Sequence, residues 1–73
     1  MIAGGTWTVL DGQGREIGRV EGDSFVRCGP QLLYRLQGPE LYSMQAPDKL
    51  LAFIEGGQAR TRNGRIFLQF RAG

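Results

Sequence analysis

Short runs in which apolar and polar residues alternate recur along this chain, and breaks containing glycine or proline separate them. Successive breaks lie about nine residues apart, a spacing typical of several short β-strands joined by turns. The breaks fall at residues 11–14, 21–23, 28–30, 37–39, 46–48, 55–57, 62–64 and 72–73. This regular spacing of the breaks predicts an all-β fold of about eight short antiparallel strands.

Helices are disfavoured, because no capped stretch of ten or more residues carries a 3.6-residue apolar period without glycine or proline. Residues 47–55 taken alone resemble a helix that starts at a proline. They align, however, with segments that contain Gly18, Tyr34 or Phe67, and this alignment predicts a strand. In the last hairpin, Asn63-Gly64 suits a tight type I′ turn, in which both central residues need positive φ.

The second strand of each predicted pair shows an internal repeat. The segments 16–22, 32–38, 50–56 and 66–72 align without gaps. Their second positions are Ile17, Leu33, Leu51 and Phe67, and their fifth positions are Val20, Leu36, Ile54 and Phe70. Both columns are always apolar, so we predict one domain, 1–73, built from four β-hairpin repeats. The repeats cover approximately 6–22, 23–38, 39–56 and 57–73.

Side chains alternate between the two faces of a strand, so the third and fifth positions of each segment share a face. We expect that face to form the core, with Gly18, Tyr34, Ala52 and Leu68 beside the fifth-position residues. The second and fourth positions fall on the opposite face, which is half apolar. An exposed patch of Ile17, Leu33, Leu51 and Phe53 there would be large for a monomer and would mark a homo-oligomer or partner interface.

The composition limits how so short a chain can be stabilised. With 73 residues, of which 41% are hydrophobic, apolar burial and conformational entropy nearly cancel. Cys28 is the only cysteine and histidine is absent, which excludes an intrachain disulfide and a zinc site of the ordinary Cys/His type. We therefore predict no cofactor, and we expect regular packing, oligomerisation or both to supply the stability.

The chain opens MIAGGTWTVLDG, without a basic start followed by an apolar run, and this favours a cytoplasmic location over secretion. No apolar stretch approaches the roughly 20 residues of a membrane-spanning helix, so no membrane partner is predicted. The net charge of +2 does not by itself indicate a nucleic-acid partner. After Glu55, however, arginines follow and acidic residues do not.

Residues 10–20 follow a pattern of the form YDxxGRxxGxI, which returns at 62–68 and, in degenerate form, at 47–54. The second repeat has Pro30-Gln31 where Gly-Arg would be expected. In this pattern the chain resembles the four-fold β-flower domain of small bacterial proteins. The resemblance implies hairpins around a pseudo-four-fold axis with inner apolar side chains, and it implies no activity. Residues 9–20 also resemble the opening of a PRC-barrel, a small SH3-like barrel, which leaves the later repeats unexplained.

We do not predict an enzyme, because histidine, the usual general base, is absent and Walker, Rossmann, metal and triad motifs are missing. Cys28 lies in a predicted turn beside Arg27 but has no histidine partner, so an incidental turn cysteine is favoured over a nucleophile. Gly56-Gly57 is interpreted as a turn rather than a phosphate cradle.

The candidate partner-binding residues are Arg60, Arg62, Arg65, Arg71, Tyr34 and Phe53. We predict a non-catalytic module that binds another protein or its own copy through apolar and arginine-bearing surfaces. The alternative is a nucleic-acid-binding small β-barrel that uses the arginine-rich C-terminal hairpin, since basic residues interleaved with aromatic ones can bind single strands.

Overall fold

The structure, a computed structural model, describes residues 5–45 and 47–72. Within these residues it contains eight strands and no helix. They are β1 (Thr6–Asp11), β2 (Glu16–Glu21), β3 (Phe25–Cys28), β4 (Gln31–Gln37), β5 (Glu40–Ser43), β6 (Leu50–Glu55), β7 (Gln58–Arg60) and β8 (Ile66–Ala72). The all-β prediction is confirmed, including the strand within residues 47–55. Residues 1–4 of the opening, Ala46 of the predicted break at 46–48 and Gly73 of the terminal break lie outside the described residues.

The strands form an antiparallel meander that closes into a barrel, because β8 pairs with β1. Odd strands run in one direction and even strands in the other. The loops within the hairpins, at 12–15, 29–30, 44–49 and 61–65, therefore meet at one end of the barrel, which we call the mouth end. The loops between hairpins, at 22–24, 38–39 and 56–57, meet at the opposite end.

The core contains the same set of positions from each hairpin. The first strands contribute Val9, Val26, Leu41 and Ala59, all fully buried. Each of these is registered with a third-position residue of the second strand, namely Gly18, Tyr34, Ala52 and Leu68. The fifth-position residues Val20, Leu36, Ile54 and Phe70 are also buried. The predicted inner face is thus confirmed, with Tyr34 only half-buried.

Each hairpin carries a β-bulge at the same place. The register skips Ile17 in β2, Leu33 in β4, Leu51 in β6 and Phe67 in β8. A bulge leaves one residue unpaired and redirects its side chain, which explains an apolar column that strict alternation places outside. Ile17, Leu33 and Phe67 accordingly pack against the core. The four residues Ile17, Leu33, Leu51 and Phe53 therefore do not form one exposed patch, since the first three are half-buried and Phe53 is exposed.

The turn predicted for the last hairpin is also wrong. Between β7 and β8, the Thr61 N–H donates to the Arg65 carbonyl at 2.9 Å and so closes a three-residue loop, 62–64. Within it, the Gly64 N–H donates to the Thr61 carbonyl, also at 2.9 Å. Gly64 has a φ of 83°, whereas Asn63 does not have a positive φ. The loop therefore matches a type I turn completed by a left-handed glycine. The pattern of a type I′ turn occurs instead at Gly56-Gly57, with φ of 62° and 80°.

Neighbouring hairpins meet on the outer face through equivalent residues. The fourth position of each second strand is registered with a residue of the next hairpin: Arg19 with Arg27, Arg35 with Tyr42, Phe53 with Arg60, and Gln69 with Leu10. The register thus repeats around the barrel, while the chemistry of each pair differs.

Candidate functional site

A groove of about 510 Å³ opens at the mouth end, against β4, the β5–β6 loop and the start of β6. We call it the mouth groove. Its inner lining comprises Leu33, Tyr34, Leu51 and Phe67, and its outer lining comprises Gln31, Leu32, Ser43, Met44 and Gln45. The groove therefore combines an apolar and aromatic floor with a mixed rim.

The bulges build the floor of the mouth groove. Leu33, Leu51 and Phe67 are the bulged residues of their hairpins and line the groove, and Leu33 and Phe67 also pack against the core. The Tyr34 ring meets the Phe67 ring edge-to-face, with centroids 5.5 Å apart and an interplanar angle of 73°. These two rings come from the second and fourth hairpins, so they meet across the barrel. Such edge-to-face pairs hold aromatic rings in a defined geometry.

The rim of the mouth groove exposes large apolar side chains. Leu32 is 36% exposed and Met44 is 38% exposed, and both line the groove. Leucine and methionine at the edge of a concave apolar surface are typical of sites that receive another apolar group, and methionine adapts readily to the shape of its partner. The rim can therefore extend the floor's contact area around an inserted side chain.

The mouth end also collects positive charge. Its cationic residues are Arg15, Lys49, Arg60, Arg62 and Arg65, and its acidic residues are Asp11, Glu16 and Asp48. Asp48 is ion-paired with Arg35 on the outer face, at 2.8 Å. The opposite end carries Glu21, Asp23, Glu40 and Glu55 together with Arg71. The barrel is consequently polarised, with its apolar groove at the basic end.

The carboxylate of Asp11 accepts hydrogen bonds from the backbone of its own turn. Its Oδ1 accepts hydrogen bonds from the backbone N–H groups of Arg15 and Gln13, both at 2.9 Å. The bond from Arg15 is the main cause that lowers the pKa of Asp11 from its ordinary value of 3.8. Thr61 fills the same role in the last hairpin, where its Oγ1 accepts from the Arg65 N–H.

The predicted partner-binding residues do not form one site. Tyr34 lies in the mouth groove, and Arg62 and Arg65 flank the β7–β8 turn at the same end of the barrel. Arg71 lies near the far end of β8, opposite Thr8, so it is separated from Arg62 by the length of a strand. Phe53 lies beside Arg60 on the outward-facing side of the strands, which we call the outer wall.

Arg60 hydrogen-bonds to neutral partners, the Gln58 Oε1 at 2.8 Å and the Gly64 carbonyl at 3.3 Å. On the neighbouring part of the wall, the Arg35 guanidinium lies 4.6 Å from the centre of the Tyr42 ring. The Tyr42 hydroxyl donates to Glu40 at 2.8 Å, and this hydrogen bond is the main cause that raises the pKa of Tyr42 above 10.0. The wall is thus an ordered polar and aromatic surface.

A second groove, of about 370 Å³, lies along the seam between β2 and β3. It contains the registered pair Arg19 and Arg27, and Cys28 is exposed at its edge. Asp23 forms an ion pair with Arg27. Glu16 and Glu21 also line this groove, so its charges are mixed. Cys28 is the last residue of β3 and is registered with Gln31, so the predicted turn position of Cys28 is wrong and the turn itself comprises residues 29–30.

The sequence interpretation missed Leu32, Met44 and Phe67 as site residues, and it named Leu33 and Leu51 only as members of an exposed patch. For Leu33, Leu51 and Phe67 the signal was the apolar second column, which strict alternation assigned to the outer face. Within residues 5–45 and 47–72, no group of three His, Cys, Asp or Glu side chains is placed to hold a metal ion. In the same part of the chain, no helix is long and apolar enough to cross a membrane.

The chain was compared with protein-family models, curated proteins and solved structures, and none of them matches it.

Proposed function

We propose that this protein is a non-catalytic protein-binding module that receives an apolar side chain of a partner in the mouth groove. The observation that carries the proposal is the exposure of Leu32 and Met44 around a concave floor of Leu33, Leu51 and Phe67. Burying such side chains against a partner stabilises a complex by about 25 cal/mol for each Å² of apolar surface removed from water.

The charge at the mouth end supports a partner with acidic residues beside its apolar anchor. Arg62, Arg65 and Lys49 are exposed there, and neither of the ion pairs described in the structure engages them. Charges at the rim of an interface mainly accelerate association and select partners, while the buried anchor supplies affinity. The proposed ligand is therefore a protein segment with an apolar anchor and acidic flanks.

A displayed library of random peptides, selected on the immobilised protein, tests this proposal. We expect selected peptides to carry a large apolar residue flanked by Asp or Glu. In fluorescence anisotropy, Met44→Glu should weaken their binding at least about tenfold, a loss of about 1.4 kcal/mol. Leu50→Glu is the matched control, because Leu50 is 39% exposed but lies outside the mouth groove.

A Leu50→Glu variant that loses peptide binding as severely as Met44→Glu would move the site to the outer wall. Selected peptides without apolar anchors would contradict the proposal directly. Amide and methyl chemical shifts measured during the titration locate the bound peptide independently, and we expect the changes to centre on Leu33, Leu51 and Phe67.

The second candidate function is nucleic-acid binding, favoured by the concentration of Arg15, Lys49, Arg62 and Arg65 at one end of the barrel. Contacts to phosphates release counterions, so such binding must weaken steeply with added salt. Arg62→Ala with Arg65→Ala should then abolish oligonucleotide binding, while Arg71→Ala at the opposite end should retain it. Salt-insensitive binding would refute this function.

The remaining sequence predictions stay proposals of the same kind. Membership of the four-fold β-flower domain is supported by the bulge that recurs at an equivalent place in each hairpin. A cytoplasmic location and a bacterial source rest on the sequence and on that resemblance.

A further inference from the structure

One row of the outer wall carries a negative, an aromatic and a positive side chain on three adjacent strands. Glu40 of β5 is registered with Phe53 of β6, and Phe53 is registered with Arg60 of β7. All three project outward, because their neighbours Leu41, Ala52, Ile54 and Ala59 are buried. Adjacent strands lie about 4.8 Å apart, so the two charges flank Phe53 at equal distances on either side.

The centre of this row is unusually exposed for an aromatic residue. Phe53 is 45% exposed. Leu50, three residues nearer the mouth end on the same strand, is 39% exposed. A large apolar surface left open on a wall that is otherwise polar marks an interaction surface.

The two flanking charges are not neutralised within the described residues. Glu40 accepts a hydrogen bond from the Tyr42 hydroxyl, and neither ion pair of the structure includes it. Arg60 donates to the neutral Gln58 side chain and to a backbone carbonyl. Each charge is therefore available to an opposite charge brought by a partner.

Symmetry identifies a partner that supplies both opposite charges at the correct spacing. A two-fold axis parallel to β6 and in front of it places Phe53 against Phe53 and Leu50 against Leu50 of a second copy. The same rotation places Glu40 of each copy opposite Arg60 of the other. An axis perpendicular to the strands would instead place Glu40 opposite Glu40, so charge complementarity selects the parallel arrangement.

We infer that the β5–β7 wall is an isologous dimer interface for a second copy of this chain, with Phe53 at its centre and reciprocal Glu40–Arg60 pairs on both sides. The inference does not depend on the mouth groove, which lies at the end of the barrel and stays open in this dimer. Because the axis runs parallel to the strands, both mouth ends face the same direction.

The size of the wall sets the strength of the dimer. A stable interface of standard size buries about 800 Å² per partner, which is about a sixth of the 4743 Å² accessible surface of this chain. The wall consists of strands of four, six and three residues, fewer than the roughly 20–30 residues that each side of a standard interface contributes. The dimer consequently belongs to the weak class of interfaces, and its mass must be measured over a wide concentration range.

Sedimentation equilibrium on charge-swapped variants tests the inference. The wild-type chain should approach twice its 8.1 kDa mass as concentration rises. Glu40→Arg and Arg60→Glu should each weaken the dimer at least about tenfold, because like charges then face each other. The double swap reverses the row but keeps it self-complementary, so it should restore dimerisation to within about threefold of the wild type.

Arg71→Glu is the control for the charge change, since Arg71 is exposed on another part of the barrel and should leave the dimer unchanged. Phe53→Ala should abolish the dimer while keeping the amide chemical-shift pattern of the folded barrel. A wild-type chain that stays monomeric at millimolar concentration would overturn the inference. A double swap that stays as weak as the single swaps would overturn the proposed axis and with it the interface.

Discussion

Two seams of the barrel, the one between β8 and β1 and the one between β2 and β3, differ sharply. The β8–β1 seam joins strands from opposite parts of the chain, yet five registered pairs connect them. The β2–β3 seam joins consecutive strands through a short loop, yet within the described residues Arg19 and Arg27 are its one registered pair. Closeness along the chain therefore does not decide how well two strands pair.

The side chains at the two seams explain the difference. At the β8–β1 seam, buried Val9 is registered with buried Phe70 on the inner face, and the Gln69 side chain donates to the Asp11 carbonyl at 3.2 Å. At the β2–β3 seam, the inner position is Gly18, and two arginines face each other outside. Like charges directly opposite in a sheet are destabilising, and the ion pair between Arg27 and Asp23 reduces this repulsion. With a single registered pair and no inner side chain at Gly18, this seam is the weaker part of the ring.

The largest expected effect comes from Gly18→Ala. A Cβ atom at this position would lie 2.3 Å from the Arg27 carbonyl oxygen, which is backbone and cannot move aside alone. We expect the substitution to lower the free energy of unfolding by at least about 2 kcal/mol, measured by urea denaturation. The opposite exchange, Ala52→Gly at the equivalent position of β6, should cost about 0.5–1 kcal/mol. Equal effects of the two exchanges would show that β2 and β3 separate easily at Gly18.

Arg19→Gln should have a smaller effect of opposite sign. Removing one of the two facing charges should raise the free energy of unfolding by up to about 1 kcal/mol at low salt. The gain should shrink as salt is added, because screening already reduces the repulsion in the wild type. Amide exchange in Phe25–Cys28 should slow in parallel. Arg71→Gln, opposite Thr8 in the β8–β1 seam, is the control and should change stability little.

The smallest effect concerns Asp11, at the mouth end of the β8–β1 seam. Its pKa is lowered in the folded barrel, so the folded state binds protons less readily than the unfolded chain. Its stabilising contribution is complete above the ordinary value of 3.8 and is lost as the pH falls through the lowered pKa. Chemical denaturation between pH 2 and 6 should therefore show a small acid loss that Asp11→Asn removes. An unchanged pH profile in that variant would exclude Asp11 as its source.

The strands and the inner face could be predicted because they depend on local patterns. Strict alternation identifies Val20, Leu36, Ile54 and Phe70 as one buried column, and a closed ring of hairpins buries that column. The bulges could not be predicted in this way, since a bulge depends on which residue of a strand is left unpaired when that strand pairs with its neighbour. The sequence shows apolar residues at the second position of all four segments, namely Ile17, Leu33, Leu51 and Phe67. Whether their side chains point inward or outward depends on that pairing.

The candidate site was less predictable than the fold, because it joins residues that are distant in sequence. Tyr34 and Phe67 meet across the barrel, and nothing in either hairpin alone indicates this contact. Arg62 and Arg71 are close in sequence, but the strand between them carries Arg71 away from the mouth end. The turn at Asn63-Gly64 differs from its prediction because Thr61 pairs with Arg65 and lengthens the loop to three residues.

The pairing of β8 with β1 has a consequence for protein engineering. Trp7 and Ala72 are registered partners, so the two ends of the described ring lie side by side. A circular permutant that joins them through a short linker and starts the chain at Pro39 would preserve every hairpin. In such a permutant, the linker connects β8 to β1, so these strands pair as chain neighbours. The strands β4 and β5 are then the first and last parts of the ring to meet, and they must pair without a loop between them.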